Sequence, residues 1–137
     1  MSTCPAETVP HSAPLVCLID PDPATQRDVH ALLATLGAEL RVYGNAREFL
    51  ASLPREVPVC VIAESRLPDL TGLALLQELQ ARGLRIPTIL LSSTGDVTGA
   101  VAAMRAGALD FIEKPYIERV LVSLVVTILN LDATRGH

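Results

Sequence analysis

Apolar runs of strand length alternate with segments of helical period along the chain, and that alternation leaves few architectures open. Leu15–Asp20 (LVCLID), Glu39–Tyr43 (ELRVY), Pro58–Ala63 (PVCVIA), Ile86–Leu91 (IPTILL) and Leu109–Ile112 (LDFI) read as five strands. The segments between them carry helix signals. Asp22 followed by Pro23 gives an N-cap and a first-turn proline, and Gly37 closes that helix. Asn45 and Glu48 stand at capping-box spacing ahead of Phe49 and Leu50. Thr71–Gly72 opens a third helix, with Leu73, Leu76 and Leu79 at core spacing and a stop at Gly83; Asp96 caps a fourth that ends at Gly107. Ile117–Leu131 is apolar nearly all round, broken by a stripe of Ser123, Thr127 and Asn130. Its β-branched residues disfavour helix, but it is too long for an ordinary strand. Five strand–helix units predict an α/β domain with a parallel sheet covered on both faces. The predicted boundaries are an N-terminal tail over 1–13, the folded domain over 14–131 and a C-terminal tail over 132–137.

A chain of 137 residues has the size of one domain and can bury a core without staples. Its longest apolar stretch, Val120–Leu129, falls short of the roughly 18 residues of a membrane span. The first fourteen residues are polar and proline-rich, without the basic start and apolar run of a signal peptide, so a cytoplasmic location is expected. Cys4, Cys17 and Cys60 are odd in number and far apart, and they read as reduced thiols. A net charge of −4 with no basic run lacks the footprint of nucleic-acid binding by this chain, and too few residues follow Leu131 for a DNA-binding helix-turn-helix. His11, His30 and His137 share no ligand spacing.

In open sheets of this kind, ligands collect at the carboxyl ends of the strands. The first strand delivers Asp20-Pro21-Asp22 there, the third Glu64, the fourth Ser92-Ser93-Thr94, and the fifth leads into Lys114-Pro115. Lys114 is the only lysine in the chain. Carboxylates that hold a hard metal, with an ammonium and hydroxyls that hold phosphate oxygens, are the set that an anionic phosphoryl group with a divalent cation requires.

With those residues, LIDPDPATQRD, CVIAESRLPDLTGL, IPTILLSSTGD and MRAGALDFIEKP resemble the receiver domains of two-component response regulators, in particular those of FixJ-like transcription factors. The resemblance runs from about Leu15 to the last helix. It implies a flavodoxin-like (βα)5 doubly wound sheet of strand order 2-1-3-4-5, and magnesium-dependent transfer of phosphate from a histidine kinase to an aspartate ending the third strand. It also implies roles: phosphoacceptor position at Glu64, second residue of the acidic pair at Pro21, switch hydroxyl at Ser92, switch aromatic at Phe111, phosphate-binding lysine at Lys114.

Two positions depart from the family pattern. Proline at 21 offers no carboxylate and no N–H, leaving Asp20 and Asp22 as weak cation ligands, so magnesium binding is expected to be weak or lost. Glu64 carries a charge near −1, against about −1.5 to −2 for a phosphoryl group, on a side chain one methylene longer than aspartate. The expectation is a Glu64–Lys114 ion pair in place of phosphate and magnesium: a pseudo-receiver that serves as a signalling and protein-interaction module, not an enzyme. The all-round apolar last segment suggests a homodimer or partner surface, with Val122, Val126 and Leu129 as candidates. Two alternatives remain open at this point, a phosphorylation-competent receiver of a phosphorelay and the receiver part of a transcriptional regulator whose DNA-binding domain lies elsewhere.

Overall fold

The computed structural model describes residues 13–53 and 55–135. The strands are β1 (Leu15–Ile19), β2 (Glu39–Tyr43), β3 (Cys60–Glu64), β4 (Thr88–Ser92) and β5 (Asp110–Glu113). The helices are α1 (Pro23–Ala34), α2 (Ala46–Ser52), α3 (Gly72–Ala81), α4 (Val97–Arg105) and α5 (Glu118–Arg135). All strand pairs are parallel, in the order β2-β1-β3-β4-β5. This is the doubly wound sheet expected, with boundaries shifted by one or two residues. β3 and β4 start later than the apolar runs do because Pro58 and Pro87 have no N–H to give a ladder.

Alternation along the strands sends two side-chain sets to opposite faces. On one face Val16, Leu18, Cys60, Ile62, Ile89 and Leu91 pack against α1 and α5. On the other, Cys17, Ile19, Val61, Ala63 and Leu90 pack against α2, α3 and α4. Cys17 and Cys60 therefore sit on opposite faces as free buried thiols, pushed up by burial to pKa values of about 11 and about 12. Cys4 lies outside the described residues.

Two sequence expectations are corrected, one in α3 and one at the end of α5. α3 buries Leu75, Leu76 and Leu79, while Leu73 is only half-buried. Gly72 begins that helix in close quarters, since a Cβ there would stand 2.8 Å from a Leu90 methyl and 3.1 Å from the Ser65 Cα. The last segment is helical despite its β-branched residues, because Leu121, Val125 and Ile128 bury against the sheet, and it runs to Arg135. Asp132–Arg135 are thus helix where a tail was predicted. The predicted N-terminal tail lies outside the described residues except for Ala13. Among the described residues no helix is long and apolar enough to cross a membrane.

Candidate functional site

Register brings the strand ends together. Ile19 pairs with Ala63, so Asp20 and Glu64 follow side by side on neighbouring strands. Ser92 pairs with Glu113, and the Lys114 N–H donates to the Ser92 carbonyl at 2.7 Å, which sets Lys114 across β4 from Glu64.

The Lys114 ammonium lies between two carboxylates, 2.8 Å from Asp20 Oδ2 and 2.9 Å from Glu64 Oε1. The side chains of Asp20, Glu64 and Lys114 are 1%, 7% and 14% exposed. Burial by itself would depress the lysine, but hydrogen bonds to Asp20 and Glu64, with their charges, outweigh it and hold Lys114 above the usual lysine value. The remaining oxygens are also engaged. Asp20 Oδ1 accepts from the Asp22 N–H at 2.9 Å, and Glu64 Oε2 takes longer contacts, 3.4 Å each, from the Ser65 hydroxyl and the Arg66 N–H.

Asp22 serves α1. Its two oxygens accept from the Ala24 N–H and the Thr25 hydroxyl, both at 3.0 Å, and the first of these does most to hold its carboxyl below the usual range. It stands 3.9 Å from the Lys114 ammonium. Pro21 is exposed at the rim.

The Ser92 hydroxyl, the switch hydroxyl of the resemblance, bonds within its own segment. It is fully buried, lies 3.1 Å from the Thr94 hydroxyl and accepts from the Thr94 N–H at 3.2 Å. This local turn satisfies Ser92, while the two carboxylates satisfy the lysine. Phe111 is half-buried against the core beneath α3 and α4. Val122 and Leu129 are partly spent on the α1 and α5 core, and Val126 is half-buried.

Residues 16–126 match the response regulator receiver domain family. The chain belongs to that family. It is 36% identical over 130 residues to the transcriptional regulatory protein FixJ of Azorhizobium caulinodans, covering 94% of this chain and 61% of that protein. It is 34% identical over 121 residues to nodulation protein W of Bradyrhizobium diazoefficiens, covering 88% of this chain and 53% of that protein. The crystal structure of a response regulator receiver protein from Pseudoalteromonas atlantica shares 37% identity at a TM-score of 0.80, covering 85% of this chain and 98% of that one. The chain thus spans little more than half the length of these curated relatives. It is a signalling domain of the two-component type.

Sequence reasoning overlooked two parts of this receiver. It assigned Lys114 to Glu64 without seeing Asp20 as an equal partner, although a lone lysine among strand-end acids is the signal for a shared ion. It also passed over Asp69, in the loop after β3, whose carboxylate accepts from the Ala46 and Arg47 N–H groups at the start of α2.

Proposed function

We propose that this receiver domain is a phosphorylation-independent signalling module in which Glu64 stands in for a phosphorylated aspartate. The observation that supports this reading is the placement of the Lys114 ammonium between Asp20 and Glu64 at 2.8 and 2.9 Å. The family's phosphate-binding lysine is already engaged by a permanent carboxylate at the phosphoacceptor position.

The donor set does not suit magnesium. A hard divalent cation asks for several uncommitted oxygens at near-octahedral geometry. Here Asp20 is bonded through both oxygens, Asp22 caps α1 through both of its own, and Pro21 supplies none. Among the described residues no group of three His, Cys, Asp or Glu side chains is placed to hold a metal ion. No step of the proposed function passes through a cation.

The output on this reading is a protein surface. Val97, Val101 and Met104 recur at helical spacing on α4 and are 74%, 48% and 45% exposed, with Ile117 and Val120 exposed at the start of α5. A second copy of the chain on this face, in preference to one on Val122, Val126 and Leu129, is the partner proposed.

Incubation with acetyl phosphate and magnesium, followed by intact mass measurement, tests the reading. The expected result is no phosphoryl adduct on the native chain and an adduct on the double variant Pro21→Asp/Glu64→Asp, which restores the family pattern. A stoichiometric adduct on Glu64 of the native chain would sink the proposal.

A further inference from the structure

We infer that Asp69 ties helix α2 to the loop that leaves Glu64, so that the start of α2 reports the charge at position 64. The tie is built from the Ser65–Thr71 segment. At one end Glu64 Oε2 accepts from the Ser65 hydroxyl and the Arg66 N–H. The segment then closes on itself: Arg66 bridges Thr71, the Leu67 N–H donates to the Leu70 carbonyl at 3.1 Å, and the Gly72 N–H donates to the Ser65 carbonyl at 2.7 Å. Leu67 is buried and Leu70 packs against the same core, so the loop is held as a unit.

At the tip of that unit, Asp69 Oδ1 accepts from the Ala46 N–H at 3.0 Å and Oδ2 from the Arg47 N–H at 2.8 Å. Partial burial opposes ionisation of Asp69, but these bonds, with those from the Asp69 and Leu70 N–H groups of its own loop, outweigh it and hold its carboxyl below the usual range. Asn45 caps only the Glu48 N–H, at 2.9 Å. The first two amides of α2 therefore have a partner more than twenty positions away in sequence, on the loop whose other end meets Glu64 through the 3.4 Å contacts of Ser65 and Arg66. Asp69 is a positioning residue, and a cap of this kind couples two elements where a local cap such as Asn45 would serve one. Neutralising Glu64 weakens the hold on the Arg66 N–H, and the closed loop passes the adjustment to Asp69 and on to α2.

The inference rests on the proposed Glu64–Lys114 pair, and the test keeps the two apart. Amide and lysine side-chain NMR spectra are recorded on the full chain and on Glu64→Gln, each with Asp69 intact, as Asp69→Ala and as the gentler Asp69→Asn. The expected result is that Glu64→Gln shifts the Lys114 ammonium signal and the Ala46 and Arg47 amide signals, that the two amide shifts are lost in both Asp69 variants, and that they survive Asn45→Ala. An Asp69 acting only as a structural cap would not carry a response from position 64. A shifted Lys114 with unmoved α2 amides, or amides that respond equally without Asp69, overturns the tie. An unmoved Lys114 overturns the ion-pair reading itself and the tie with it.

Discussion

Replacing Lys114 with methionine is the perturbation that most directly measures the site. Methionine keeps the length and apolar stem of lysine and removes the charge. It leaves Asp20 and Glu64, 1% and 7% exposed, as neighbouring carboxylates with no cation between them. Breaking a buried pair by deleting one partner costs about 3–5 kcal/mol, because the residual charge is neither solvated nor neutralised. Lys114 is 14% exposed, so solvent screens little of this. For a domain of this size, at roughly 3–5 °C per kcal/mol, the melting temperature should fall by about 10–20 °C in far-UV circular dichroism. Adding Glu64→Gln to Lys114→Met removes one of the two stranded charges and should recover part of the loss. Glu64→Gln alone should cost less, about 1–2 kcal/mol, since the amide oxygen still accepts from the ammonium and Asp20 still neutralises it. If Lys114→Met melts within about 1 kcal/mol of the native chain, or gains nothing from Glu64→Gln, the ion cluster does not have the energetics assigned to it.

The same lysine sets the alkaline limit. Its folded-state value lies above 10.5, so its contribution to stability is complete below that pH and is lost as the pH rises through the raised value. Denaturant unfolding should therefore show the native chain converging on Lys114→Met at high pH, and a gap that stays constant would contradict the linkage. On the surface, light scattering at micromolar concentration should give a dimer that Val101→Asp dissociates; a monomer indifferent to that charge removes the α4 face as the interface.

Much of the fold was legible because its signals are local. Asp22-Pro23, Thr71-Gly72 and Asp96 each mark a helix start through a side chain that bonds its own first turn. The choice between Leu73 and Leu75 was not legible, because both fit a helical stripe until the sheet decides which face is inward. Nor was the partner of Ser92 legible: a strand-end hydroxyl can reach across the site or down its own chain, and it bonds Thr94 two residues on. Asp69 carries no sequence signal for its role. An aspartate after a proline reads as a turn, and only the packing of the β3–α3 loop against α2 brings it to the Ala46 and Arg47 amides.

On the proposed reading, the two departures from the family pattern belong together. Asp20 and Glu64 with Lys114 sum to one net negative charge, and Asp22, though 3.9 Å from the ammonium, is occupied with its helix cap. An acid at position 21 would add a second negative charge at the rim of a site whose only ammonium is already shared. Carboxylates crowded in this way repel one another unless a cation joins them or one takes up a proton. Proline at 21 removes that requirement, and the extra methylene of Glu64 lets its carboxylate reach the lysine directly. Restoring an acid at position 21 alone should therefore lower the melting temperature by circular dichroism more than restoring both positions does. Pro21→Asp by itself crowds a closed ion cluster, whereas with Glu64→Asp the shortened side chain withdraws and reopens the space.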